Sequence, residues 1–221
     1  MNVIDRLRAL VADGARRAET TGEPILVSVT VPTPAMSAIA AFDACTDPMR
    51  FLWDQPHRQF SIIGLGVAAR VVGRGASRFH DVKTGWERLR ATAVVDSDPS
   101  VPLAGPVAVG GFAFDPGRSG NGQWREFPDA DLVVPRVAVI SCGEDAFLSV
   151  SAVVEPGDEP ANCVDQIADT IRELRSAPAA GGAPLPPVPV RVGAGVNGHS
   201  HWAASVTSAT DAIRAGQLRK V

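Results

Sequence analysis

Apolar residues recur at helical spacing in four places along the chain. Val3, Leu7, Leu10 and Val11 form the first stripe, and Val82, Trp86, Leu89 and Ala93 the second. Val164, Ile167, Ile171 and Leu174 form a third, and Trp202, Val206, Ala209 and Ile213 a fourth. Steps of three and four residues gather side chains on one face of an α-helix, so each stripe predicts an amphipathic helix with one buried side. Asp81 and Ser200 stand where the N-caps of the second and fourth would fall.

Between these helices the pattern changes to short Val-rich runs bounded by Gly, Pro and Asp. They cover 24–31, 59–74 (interrupted by Gly64-Leu65-Gly66), 106–114, 132–141 and 146–154. Such runs predict strands, and Cys142-Gly143-Glu144-Asp145 between the last two predicts a hairpin. Hairpin-linked strands, in place of strict strand–helix alternation, predict an α+β fold of antiparallel sheets with outer helices and disfavour a Rossmann unit. Residues 178–198 are rich in Pro and Gly and poor in charge, which predicts an extended surface connection. The last residues, Gln217-Leu218-Arg219-Lys220-Val221, follow the fourth helix with no polar tail. A basic pair and then a β-branched residue read as entry into another strand, which predicts that the chain is truncated there.

Composition narrows the class without naming a function. Of 221 residues, 45% are apolar and 20% charged, with a formal net charge of -3, as in ordinary soluble globular proteins. A mildly acidic balance disfavours nucleic acid as a partner, because phosphate binding needs a basic surface. Cys45, Cys142 and Cys163 are odd in number and lie far apart, which disfavours a disulfide framework or a zinc site and suits a reducing cytoplasm. The N-terminus alternates apolar with charged residues and lacks the apolar core of a signal peptide. No run approaches the ~20 apolar residues of a membrane span. The expectation is a cytoplasmic protein with no membrane partner.

Candidate chemistry is sparse. Gly64-Leu65-Gly66 lacks the third glycine and the following helix of a dinucleotide loop, so a bulge or bend within a β-hairpin is the expectation. The stretch 117–122 is Gly-rich but does not end in Gly-Lys-Ser/Thr, and reads as a loop. His199 and His201 form an HxH pair, but at a helix start residues two apart diverge, and no carboxylate or cysteine cluster follows. Asp54, Asp115 and Glu126 lie near aromatics, where lone carboxylates are more often caps or ion-pair partners than acids or bases. Neither a GxSxG elbow nor an HExxH helix occurs.

Four ordered stretches nevertheless resemble the N-terminal half of isochorismate synthases, within the chorismate-utilising enzyme family. Phe51-Leu52-Trp53-Asp54-Gln55-Pro56 followed by Gly64-Leu65-Gly66-Val67-Ala68 resembles F-x-W-E-x-P then G-x-G-x-A, with Asp for the usual Glu. Gly110-Gly111-Phe112-Ala113-Phe114-Asp115 resembles G-G-F-x-F-D/N. Trp124, Phe127, Ala130 and Pro135-Arg136 are similar to W-x-x-F-x-x-A-x-x-x-x-P-R. Trp202, Val206, Ala209, Ile213, Gly216 and Lys220-Val221 resemble a helix leading into a K-V-V-L-A/S-R strand.

The resemblance implies that all of 1–221 is the N-terminal part of a single chorismate-utilising domain, whose fold stacks two large antiparallel sheets. It implies conversion of chorismate to isochorismate, by addition of water at C2 as the 4-hydroxyl leaves, for siderophore or menaquinone synthesis. Lys220 matches the family's general base, which must be neutral to take a proton from water. The resemblance also implies Mg²⁺, bound by glutamates of the family's C-terminal half, where the acid and the substrate-binding residues also lie. On that reading the 221 residues alone would be inactive. The parent would be monomeric, whereas the fragment, with apolar sheet surface left uncovered, would self-associate. Two alternatives stand beside it: a non-catalytic truncated fragment, and another chorismate-utilising enzyme such as a salicylate or anthranilate synthase. The bland reading of Lys220 is a cation complementing a helix C-terminus.

Overall fold

The computed structural model describes residues 2–101, 103–115, 126–176 and 198–219. The chain divides into two compact units, 1–182 and 183–221. The first opens with helix α1 (Val3–Thr21), begun by Asn2, whose side chain accepts the Asp5 N–H at 2.9 Å. Its buried face carries Val3, Leu7 and Val11 of the predicted stripe and Ala18 beyond it, while Leu10 is half-buried. Strand β1 (Ile25–Pro32), helix α2 (Ala38–Ala44), strand β2 (Arg50–Gln55) and strand β3 (Phe60–Leu65) follow. Next come strand β4 (Ala69–Gly73), helix α3 (Arg78–Ala91), strands β5 (Val94–Asp96), β6 (Val109–Phe112), β7 (Ala130–Val134), β8 (Val137–Cys142) and β9 (Asp145–Val154), and helix α4 (Pro160–Ser176).

The strands form two sheets. The larger runs β2-β3-β8-β9-β1-β5 and the smaller β4-β7-β6. Every pairing is antiparallel except β1 with β5. The predicted α+β class, with antiparallel sheets and outer helices, is the observed one. On one face of the large sheet, Val27, Val29, Val139, Val150 and Val154 meet Leu7 and Val11 of α1 and Ile167 and Ile171 of α4 in a single core. On its other face, hydroxyls face each other across β1 and β9. Ser28 Oγ lies 2.9 Å from Ser151 Oγ, and Thr30 Oγ1 donates to Ser149 Oγ at 3.1 Å. Thr30 also accepts the Gly105 N–H at 3.0 Å, and Ser149 donates to Gly105 O at 3.1 Å. These buried hydroxyls are therefore satisfied, and they hold Gly105 against the sheet.

Several local expectations are corrected. The 59–74 run is not a hairpin with a bulge, because β3 and β4 belong to different sheets. Gly66 turns the chain between them at φ +65°, with its N–H on Met49 O at 2.7 Å. The run 132–141 is two strands in two sheets, broken at Pro135, which has no N–H to continue a ladder. In 106–114 only Val109–Phe112 is strand. Ser77, not Asp81, precedes α3, and Asp81 lies inside the first turn, accepting the Ser77 hydroxyl at 2.9 Å. Strands β2 and β5 and helix α2 were not predicted from periodicity.

Helix α1 is tied to edge strand β5 by a forked pair, Arg6 Nε to Asp96 Oδ2 at 2.7 Å and Nη2 to Oδ1 at 2.5 Å. The Arg6 hydrogen bonds hold the Asp96 carboxyl below its usual 3.8 against a smaller opposing effect of burial. Stability from a lowered carboxyl is complete above the unfolded value and is lost as pH falls through the folded one. With the two side chains 27% and 36% exposed, solvent screening limits the pair to about 1 kcal/mol or less. Asp96→Asn is expected to reduce unfolding free energy by that amount at pH 7, with the difference shrinking as pH drops towards about 2. Urea titrations at both ends of the range check this, and an equal loss at both would contradict it.

In the second unit, helix α5 (Gly198–Arg214) carries the fourth stripe, with Trp202, Val206 and Ile213 exposed. It begins at Gly198, so Ser200 is inside the helix and is not its cap.

Candidate functional site

The sheet switch at Gly66 and the break at Pro135 open a cavity of about 720 Å³ between the β2–β3 edge of the large sheet and β6–β7 of the small one. Register explains which side chains face it. Val109 pairs with Val133 and Gly111 with Asp131, so these four share one face of the small sheet, and that face lines the cavity. The opposite face carries Val71, which α3 approaches so closely that a Cβ on Gly85 would sit 2.5 Å from Val71 Cγ1. Helix α3 therefore covers one face of the small sheet and the other faces the cavity.

Three of the four family-like stretches converge here. Phe51, Gly64 and Gly66 come from the first, residues 110–115 from the second, and Phe127 and Pro135 from the third. Strands far apart in sequence bring them together, and spacing alone gave no sign of it. Arg136, in the third stretch, braces the junction: Nε donates to Val67 O at 3.0 Å and Nη1 to Gln166 of α4 at 3.1 Å.

The cavity is mainly apolar and its charges are engaged. Arg50 donates from Nη1 to Phe42 O at 3.1 Å and Cys45 O at 2.7 Å, and its guanidinium lies 4.7 Å from the centre of the Phe42 ring. It serves the carboxyl end of α2. Asp131 takes Arg70 in a fork, 2.7 Å to Oδ1 and 2.5 Å to Oδ2. The site can hold an apolar ring or side chain, and its wall also carries two carboxylates, Asp131 and the sequence candidate Asp115.

Other candidates disperse. Asp54 is exposed on β2, Glu126 is exposed, and His199 and His201 are exposed at the start of α5. Cys45 is buried, and burial, with the Glu173 charge second, pushes its thiol up to about 11, too high for a thiolate nucleophile at neutral pH. Cys163 is likewise raised by burial. Among the described residues, no group of three His, Cys, Asp or Glu side chains is placed to hold a metal. Lys220, Trp124, the 117–122 stretch and all of the 178–198 connection except Gly198 lie outside the described residues.

Known proteins agree with the resemblance. The model of the chorismate binding enzyme family matches residues 13–221. A salicylate biosynthesis isochorismate synthase of Pseudomonas aeruginosa is 27% identical over 217 residues, covering 97% of this chain and 44% of that protein. The isochorismate synthase MenF of Bacillus subtilis is 33% identical over 115 residues, covering 50% of this chain and 24% of that protein. Among solved structures, the menaquinone-specific isochorismate synthase MenF from Escherichia coli matches with a TM-score of 0.48 and 19% identity, covering 81% of this chain and 35% of that one. The chain thus spans less than half the length of the curated relatives it matches. With a family match extending from residue 13 to residue 221, and three of the family-like stretches meeting at one cavity, this chain belongs to the chorismate binding enzyme family.

Proposed function

We propose that this chain is the N-terminal part of an isochorismate synthase acting on chorismate in the cytoplasm, with neither nucleic acid nor membrane as a partner. The observation that carries the reading is the convergence of residues 51–66, 110–115 and 127–135 on one cavity, since stretches that merely share composition would have no reason to meet. The relatives named as isochorismate synthases support it. No helix among the described residues is long and apolar enough to cross a membrane.

In the proposed reaction, water adds at C2 of chorismate, its proton passes to the neutral Nζ of Lys220, and the 4-hydroxyl leaves with a proton from an acid outside these residues. Mg²⁺ would offset the charge of a substrate carboxylate when bound, and carboxylates beyond the described residues would hold it. The cavity plays a different part. Chorismate is a dianion, and the cavity's Arg50 is committed to two carbonyls, so its apolar wall fits packing better than carboxylate recognition. Its uncovered phenylalanines also support self-association of the 221 residues, whereas a longer parent would be monomeric.

The reading predicts no turnover of chorismate with Mg²⁺ by the 221-residue protein and turnover by a protein continued through the downstream coding sequence. In the longer protein, Lys220→Ala is expected to lower kcat by about 10²–10⁴, the usual range for a lost general base. A longer protein that leaves chorismate untouched would sink the proposal, and turnover by the 221 residues would sink the inactivity. Formation of salicylate or anthranilate would favour another chorismate-utilising enzyme.

A further inference from the structure

Behind the cavity wall, a buried guanidinium and a half-buried carboxylate flank one glycine without pairing. Arg78 opens α3 and is only 8% exposed. Its Nη1 donates to Gly75 O at 3.2 Å, Nε to Ala113 O at 3.1 Å and Nη2 to Phe114 O at 3.4 Å. The guanidinium lies 4.3 Å from the centre of the Phe79 ring, which stacks on Phe112 at 4.9 Å. Asp129, just ahead of β7, accepts the Gly75 N–H on Oδ2 at 2.6 Å, and its backbone oxygen accepts the Ala113 N–H at 2.7 Å. Its Oδ1 is buried and accepts no hydrogen bond. Among the described ion pairs, none joins Arg78 to a carboxylate.

This is an unusual division of partners. A buried guanidinium gains most from a carboxylate, and a buried carboxylate oxygen is costly without a donor. Here Arg78 holds neutral carbonyls through long bonds, while the oxygen that would suit it better stays unpaired. Both groups bond to Gly75, Arg78 to its oxygen and Asp129 to its N–H, so one residue stands between the two charges. The backbone of Arg78 is not free to follow, because α3 is pressed so close to the small sheet that a Cβ on Gly73 would lie 2.4 Å from Arg78 O.

We propose that Arg78 and Asp129 form a two-position latch on the cavity wall. In the position seen here Arg78 grips the carbonyls of Ala113 and Phe114 and draws the wall against α3. In the other, its guanidinium turns to the Asp129 carboxylate, fills Oδ1 and frees both carbonyls, so that residues 112–115 can move outward. Anything packing on Phe112 and Phe114 favours the gripped position, since Phe112 is then already braced through Phe79. The two arrangements differ by an exchange of partners and leave the fold intact.

Hydrogen exchange in the peptide spanning residues 109–115, with the β9 peptide as internal reference, separates a latch from a simple tie. Asp129→Asn keeps an acceptor for the Gly75 N–H but removes the charge that competes for Arg78, so exchange at 109–115 is expected to slow by about threefold or more. Arg78→Met releases the wall and is expected to speed exchange there by about tenfold or more, leaving β9 unchanged. A simple tie loosens in Arg78→Met and is left unchanged by Asp129→Asn, or loosened if the Gly75 bond weakens. Faster or unchanged exchange at 109–115 in Asp129→Asn, or a change in β9 of equal size, overturns the proposal. Should Arg78→Met fail to fold, Asp129→Asn decides the question alone.

Discussion

Gly110→Ala is expected to strip β6 from the small sheet, and Gly111→Ala to leave it in place. A Cβ on Gly110 would stand 1.8 Å from Asp131 O, 2.8 Å from its carbonyl carbon and 3.0 Å from Leu132 Cα. All three are backbone atoms of the strand that β6 pairs with, so no rotamer change relieves the clash. A Cβ on Gly111 meets nothing within 4 Å. The first substitution should cost about 3 kcal/mol or more, at the upper end of overpacking. The second should be neutral or gain up to about 1 kcal/mol by removing a glycine from a strand. Urea unfolding of the two variants measures this, and equal stabilities would show that β6 does not approach β7 as described. The same pair of glycines opens the family-like G-G-F stretch, yet only Gly110 is required by the sheet. Gly111 faces the cavity, and its lack of a side chain keeps space there.

Leu7→Ala is the second large effect. Leu7 has 0% exposure and sits in the core among α1, α4 and the large sheet. Removing its branched end takes away transfer energy and leaves a void that two helices and a sheet cannot collapse around, a loss of about 2–5 kcal/mol. Phe114→Ala is the counterpart. Phe114 is as exposed as in an open chain, at 101%, so truncating it should change stability by less than about 0.5 kcal/mol. Urea midpoints with unchanged slopes test both. A cost for Phe114→Ala comparable to that for Leu7→Ala would mean that the aromatic rim is covered in solution.

These contrasts mark how much of the fold was legible along the chain. The α1 and α4 stripes became buried faces almost residue for residue: Leu7 and Val11, and Val164, Ile167, Ile171 and Leu174, are all core. The 146–154 run became β9, and the Cys142-Gly143-Glu144-Asp145 turn became its hairpin with β8. The α3 stripe is weaker, because Val82 alone of its four apolar residues is buried. Trp86 and Leu89 lie on a helix that packs mainly on a three-stranded sheet. Nothing local marked β5, whose three residues, Val94, Val95 and Asp96, are strand because β1 lies beside them.

The candidate site was legible as patches and illegible as a place. Phe51, Gly66, Gly110, Phe127 and Pro135 could be picked out one stretch at a time. That they line one cavity depends on β3 and β4 entering different sheets, and on β7 and β8 doing the same. Arg78 could not be singled out at all, since in sequence it is one arginine of a polar helix. Its burial comes from the small sheet closing over it.

By itself, then, the sequence determined the four amphipathic helices, the hairpin, the α+β class and the family, because each is written in side-chain period or in short ordered motifs that neighbouring residues carry. Only the tertiary structure decided which strands share a sheet, where the cavity opens, why Gly110 is indispensable and Gly111 is not, and which charges flank Gly75. Those depend on contacts between segments tens of residues apart. Periodicity can specify which face of an element is buried, but not which partner buries it.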